Sequence, residues 1–198
     1  VVDNFHEIDL LGEVASRKGV VQDVLLRVSP GIDPHTHAYT TTGVLDSKFG
    51  FSLETGHAEQ AIRQAIKANN LNLVGLHFHL GSPIFELEPY AVAIDLVLTL
   101  AARLKNEGLE LRKLSPGGGF PIGYVTSQPP PPIADYAEVI TSTMKRRCAD
   151  LGLSEPLLIL EPGRAVVGRG GVAIYTVGVI KDIPTVRKYV SLDGGMGD

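Results

Sequence analysis

Apolar residues along this chain recur with two periods, and the alternation between them predicts the order of its elements. Ile8, Leu11, Val14 and Ala15 fall at i, i+3, i+6 and i+7, which predicts a helix closed by Gly19. Val1 and Val2 before it read as the end of a strand, and Val24 to Val28 after it as another. Ser29 to Phe51 is a long polar connection with Pro30, Gly31, Pro34, His35, His37 and a threonine run, and a loop of that length is usually functional or disordered. Ala58, Ala61, Ile62, Ala65 and Ile66 mark a helix with a narrow apolar face, suited to lying flat on a sheet. Leu73 to Leu80 is the next strand, ended by Gly81, and it places His77 and His79 on one face. A helix over Glu86 to Lys105 follows, with Val92, Leu96, Leu100 and Leu104 at i+4 spacing and Gly108 beyond it. A fourth strand leads into Gly117, Gly118 and Gly119. Pro129 to Pro132 form a stiff loop before a helix carrying Ile133, Tyr136, Ile140, Met144, Cys148 and Leu151. Leu157 to Leu160 is an apolar run of the kind a strand buried on both faces displays.

Strand-then-helix units at regular spacing predict a parallel α/β arrangement of five strands. The pattern changes after Gly170 and Gly171: Val172 to Ile183 and Tyr189 to Leu192 read as strands without intervening helices. A second, β-rich domain is therefore expected to begin near Gly168 to Gly171. Composition narrows the function. Eighteen Lys and Arg against 22 Asp and Glu give a formal charge of -4, without the basic stripe of a nucleic-acid binder. A small-molecule partner is expected instead. Cys148 is the single cysteine, so no internal disulfide framework exists, and a reducing cytoplasm fits. No run reaches the roughly 18 apolar residues of a membrane span. The chain begins at Val1 without Met and stops after a glycine-rich turn, and a fragment is expected.

Chemistry concentrates where two strands end. Glu161, Pro162, Gly163 and Arg164 follow the Leu157 run directly, and the triple glycine follows the strand before it. Missing Cβ atoms let backbone N–H groups approach an anion, and in β/α barrels the active site lies at the C-terminal ends of the strands. The glycines do not fit the dinucleotide frame, because the sixth position counted from Gly117 is Ile122. His77 and His79 leave three readings open: a metal site, a satisfied core histidine, or a contact to cofactor or substrate. Cys148 lies on the apolar stripe of its helix and reads as a small core residue. His35 and His37 have no fixed mutual geometry and receive no role.

Taken in order, Arg27-Val28-x-Pro30, Ser47-Lys48-Phe49-Gly50, Gly75-Leu76-His77-x-His79-x-Gly81-Ser82, Gly117-Gly118-Gly119, Glu161-Pro162-Gly163-Arg164 and Asp193-x-Gly195-Met196 resemble the diaminopimelate decarboxylases, among the fold-type III pyridoxal-phosphate decarboxylases. The resemblance implies a (β/α)8 barrel followed by a β-domain. This chain would supply the last five strand-helix units over residues 1–168 and the start of the β-domain over 169–198. It implies pyridoxal 5'-phosphate as cofactor, a cytoplasmic homodimer with shared active sites, and decarboxylation of meso-diaminopimelate to L-lysine. His79 and Glu161 would be the catalytic residues, His79 against the pyridine ring and Glu161 on its nitrogen. Ser82, Gly117, Gly118 and Gly119 would hold the phosphate, Pro162, Gly163 and Arg164 would complete the cofactor loop, and Arg164 would also serve a substrate carboxylate. No metal is implied.

Two positions depart from the family's pattern: Pro83 stands where glutamine is usual and Gly197 where asparagine is usual. The family's Schiff-base lysine would lie upstream of Val1 and its cysteine downstream of Asp198, so Lys48 is not given the lysine's role, and the chain alone is expected to be inactive. Ornithine, arginine or carboxynorspermidine decarboxylation, and a non-catalytic homologue that binds the cofactor, are the alternatives within reach of the same motifs.

Overall fold

A computed structural model describes residues 1–32 and 48–195. His35, His37, the threonine run, Ser47, Met196 and Gly197 lie outside the described residues. Residues Val1–Val166 form one compact unit and Val167–Asp198 a second.

In the first unit α1 spans Phe5–Lys18. The Asn4 side chain accepts from the Glu7 N–H at 3.0 Å, and Gly19 closes the other end in the left-handed conformation that glycine adopts without a Cβ penalty. The chain continues through β1 (Gln22–Ser29), β2 (Phe51–Ser52), α2 (His57–Lys67), β3 (Leu71–His77), α3 (Glu88–Leu104), β4 (Lys113–Gly117), α4 (Ile133–Leu151), β5 (Leu157–Leu160) and the short α5 (Gly163–Val167). The strands form one sheet in the order β2-β1-β3-β4-β5, and every pairing is parallel. Parallel strands need crossovers of a dozen or more residues, and α2, α3 and α4 supply them.

The expected number of strands is present, but the membership differs. Val2 makes only an isolated bridge to Leu26, while Phe51–Ser52, read as the end of a loop, pairs with Val28 and Ser29 on the same edge of β1. Two residues are too few to display a period. β3 stops at His77 rather than Leu80: Phe78 N–H still donates to Ser115 O at 2.8 Å, and the chain then leaves the sheet.

Between sheet and helices lies the core. Leu26, Leu76, Leu114, Ala61, Ile62, Ile94, Leu98, Tyr136 and Ile140 are almost fully removed from water, and each large aliphatic among them contributes roughly 1.5–3 kcal/mol of burial. The face of α2 is the expected one, with Ala58, Ala61, Ile62 and Ala65 buried. The face of α3 is the expected one only in its C-terminal half, where Leu100 and Leu104 are buried. Its buried side carries Tyr90, Ala93, Ile94, Val97, Leu98, Leu100, Ala101 and Leu104, whereas Leu96 is exposed and Val92 only half-buried. A row at i+4 drifts by about 40° around the helix at each step, so it misses the buried face at Val92 and Leu96 and reaches it at Leu100 and Leu104. β5 is a second correction. Leu157 and Leu160 are exposed at 65% and 40%, because β5 is an edge strand with β4 as its only pairing among the described residues.

The second unit holds an antiparallel pair, β6 (Val177–Ile183) and β7 (Arg187–Leu192). The strand expected from Val172 begins only at Val177, and the one expected from Tyr189 begins at Arg187.

Candidate functional site

Parallel pairing brings the C-terminal ends of β3, β4 and β5 together, and the sequence places glycine, histidine, carboxylate and guanidinium there. Glu161 N–H donates to Gly117 O at 2.9 Å, tying the exit of β5 to that of β4. The approach is close enough to exclude any side chain: a Cβ on Gly118 would lie 2.1 Å from Glu161 O, and one on Gly119 would lie 2.3 Å from Gly81 O. Gly119 also has φ near +98°, which an L side chain rarely adopts. The triple glycine is therefore a seam that lets the three exits close on one another.

The orientation of this seam follows from its hydrogen bonds. Tyr90 Oη, buried in α3, donates to Gly118 O at 2.7 Å, and Ile84 N–H donates to Gly119 O at 2.8 Å. Tyr136 Oη on α4 donates to Ile84 O at 2.8 Å. Tyr90, Phe120 and Tyr136 pack ring against ring, with Tyr90 and Phe120 stacked at 5.7 Å and Tyr136 edge-on to both. Burial drives the Tyr136 phenol up to about 12 and raises that of Tyr90 as well, so both remain hydroxyl donors at neutral pH. The carbonyls of the seam are thus held from behind. Because the peptide is planar and trans, the Gly119 N–H points opposite to the Gly118 carbonyl, away from Tyr90. That N–H has no acceptor among the described residues, whereas Gly117 N–H donates to Ser115 Oγ at 3.3 Å and Gly118 N–H to His79 Nδ1 at 3.2 Å.

His77 and His79 both reach this place, by different routes. His77, at the last position of β3, is 5% exposed, and its Nε2 lies 3.1 Å from Glu161 Oε1. His79 lies beyond the strand, half-buried, with its Nδ1 oriented by Gly118. Both imidazoles are held below their ordinary pKa. Burial is the leading cause in each; Arg27 adds to it, and Glu161 opposes it in part. Arg27 stands beside His77 in the register of β1 and β3, lies 4.5 Å from the Phe49 ring centroid and pairs with Asp3 at 3.5 Å.

The loops after these strands also form a polar corner. Arg164 Nε donates to Ser82 Oγ at 3.2 Å, and its Nη1 to the Tyr124 hydroxyl, whose ring centroid is 5.7 Å from the guanidinium. Ser82, Glu161, Gly163 and Arg164 are exposed and Pro162 is half-buried, so the corner is open to a ligand. The structure thus brings together His79, Ser82, Gly117, Gly118, Gly119, Glu161 and Arg164. Cys148 is separate from them, buried on α4 with burial raising its thiol pKa. Among the described residues no three His, Cys, Asp or Glu side chains are grouped to hold a metal ion. Tyr90, Tyr124 and the His77–Glu161 bond escaped the sequence reading. Tyr90 sits in an apolar run and looks like ordinary core; a tyrosine where phenylalanine would serve is the one available signal.

The arrangement can do three things chemically. Ser82, Arg164 and the Gly119 N–H offer donors to an anion, His79 offers the face of an uncharged imidazole, and Glu161 offers a carboxylate to a cationic or protonated group.

Comparison with known proteins points the same way. The family described as pyridoxal-dependent decarboxylase, pyridoxal binding domain, matches residues 1–168. The chain is 41% identical to a diaminopimelate decarboxylase of Halalkalibacterium halodurans and 42% identical to one of Corynebacterium efficiens, over its whole length in both cases. It spans under half of those curated relatives, 45% and 44% of their respective lengths. A crystal structure of diaminopimelate decarboxylase from M. jannaschii in co-complex with L-lysine superposes with a TM-score of 0.81 at 36% identity, covering all of this chain and 45% of that one.

Proposed function

The chain belongs to the pyridoxal-dependent decarboxylases, and from that premise we propose that its parent protein binds pyridoxal 5'-phosphate at these strand ends and converts meso-diaminopimelate to L-lysine and CO₂. The observation that carries this reading is the meeting of an anion corner, a histidine face and a carboxylate across a seam that only glycine permits. These parts fit the three chemical parts of the cofactor. Ser82, Arg164 and the Gly119 N–H would hold its phosphate, while Gly117 and Gly118 would close the seam beneath it. His79 would lie against the pyridine ring, and Glu161 would pair with the ring nitrogen. Pro162 and Gly163 would shape the loop between that carboxylate and Arg164.

When bound, the cofactor supplies an electron sink for the pair left as the bond from Cα to the carboxylate breaks. The chain's own contribution is to keep that sink effective. A carboxylate beside the ring nitrogen favours a proton there. An uncharged His79 adds a flat face without a competing positive charge. Arg164 can also meet a substrate carboxylate, because its fork matches that group as well as phosphate.

Residues 1–168 would then be part of a β/α barrel and 169–198 the start of a β-domain, in a cytoplasmic homodimer with shared sites. The test is a substrate panel on the full-length parent with added pyridoxal phosphate, following CO₂ and the amine product. Lysine formed from meso-diaminopimelate, at a kcat/KM at least about a hundredfold above that for ornithine, arginine or carboxynorspermidine, is the expected result; such a ratio is within reach of a site that hydrogen-bonds a group the others lack. Preference for one of the other three would overturn the substrate, and no turnover of any would overturn the reaction.

A further inference from the structure

His77 has no part in the reading above, yet it is the most constrained titratable group at the strand ends. Its ring is buried, Nε2 faces Glu161 Oε1 at 3.1 Å, and Nδ1 is sealed from water with no partner among the described residues. A neutral imidazole carries one N–H. On Nδ1 that hydrogen would be a buried donor without an acceptor, and the Nε2 lone pair would face a carboxylate oxygen. On Nε2 it donates to Glu161 and leaves only an unfilled acceptor at Nδ1, the cheaper of the two defects. Burial, assisted by Arg27 and His79, disfavours the cation that would otherwise fill both positions, against the pull of Glu161.

The geometry points to His77 as a positioning residue: its neutral Nε2–H pins one oxygen of Glu161, leaving the other as the oxygen available to the cofactor's ring nitrogen. This rests on the cofactor reading given above. Glu161 needs such a support. It follows an edge strand, its side chain is 50% exposed, and no other hydrogen bond to its carboxylate is present among the described residues. A free glutamate there would sample many rotamers. The imidazole is itself fixed by β3, so it can orient the carboxylate. Being uncharged, it does so without cancelling the negative charge that favours a protonated ring nitrogen, which a lysine or arginine at position 77 would do.

The test uses the full-length parent loaded with pyridoxal phosphate labelled with ¹⁵N in the ring. His77→Phe should move the ring ¹⁵N signal toward its unprotonated position. It should also lower kcat by roughly ten- to a hundredfold, the scale of one lost hydrogen bond to a charged group, with cofactor affinity changed by no more than about threefold. His77→Gln keeps a neutral N–H donor and should restore the signal. A ring-nitrogen signal unchanged in His77→Phe would sink the positioning role while leaving cofactor binding intact. Should His77→Phe not fold, histidine ¹⁵N labelling of the unaltered holoenzyme decides: a neutral Nε2–H tautomer supports the proposal, and an Nδ1–H tautomer or an imidazolium at pH 7.5 overturns it. Failure of the unaltered parent to retain pyridoxal phosphate would overturn the cofactor reading itself, and this inference with it.

Discussion

At the scale of single residues, the two histidines tie stability to pH. An imidazole in the unfolded chain takes its proton near pH ~6.5, while His77 and His79 take theirs at lower pH because the fold buries them near Arg27, against the partial pull of Glu161. Between those pH values the unfolded chain binds more protons than the native one. Their contribution is therefore fully present above about pH 6.5 and is lost as pH falls through the folded pKa values. In urea unfolding of the parent protein between pH 7.5 and 5, the unaltered chain should lose more stability than a variant carrying both His77→Gln and His79→Gln. Parallel curves for the two proteins would contradict the assignment. Residue types alone announced this site only in part. A strand period suggested that the histidines share a face, but that period could not tell a metal ligand from a carboxylate's partner, since the partner lies 84 positions away.

At the scale of elements, α3 illustrates both what a sequence pattern conveys and where it stops. Its extent was readable to within two residues from its apolar run, but its buried face only in part: Leu100 and Leu104 are buried as expected, while Val92 and Leu96, as apolar as Val97 and Leu98, lie off that face. By contrast α2 and α4 have polar residues opposite their apolar stripes, and there the face came out directly, as Ile62 and Ala65, or Tyr136, Ile140, Met144 and Cys148, except for Ile133 at the start of α4, which is exposed. The run Leu157–Leu160 signalled a strand correctly and its burial wrongly, since edge or centre is a property of the sheet and not of the segment. The functional meaning of the α3 face is that it aims Tyr90 at the glycine seam. Tyr90→Phe keeps the ring packing with Phe120 and Tyr136 but leaves the Gly118 carbonyl buried and unpaired, which should cost about 1–3 kcal/mol of stability. Denaturant unfolding of the parent protein measures this, and an unchanged midpoint would show that the seam is not held from behind as described.

At the scale of the whole molecule, five parallel strands set the chemistry at one end of a sheet, and no residue at that end works through its neighbours in sequence alone. Ser82 lies in the loop after β3, Gly119 in the loop after β4, Arg164 in α5 after β5, and the tyrosines behind them in α3 and α4. The order of the motifs along the chain therefore indicated the family more readily than any one motif indicated its function. The central claim is that Glu161 serves the reaction at the cofactor ring while Ser82, Arg164 and Gly119 hold the cofactor by its phosphate. The most direct test is the paired measurement of turnover and pyridoxal phosphate affinity on the Glu161→Ala parent protein. Turnover should fall on the order of a hundredfold, the scale of removing one preorganised electrostatic contact, while affinity stays within about tenfold of the unaltered value because the phosphate grip survives. Unchanged turnover in that variant would contradict the account.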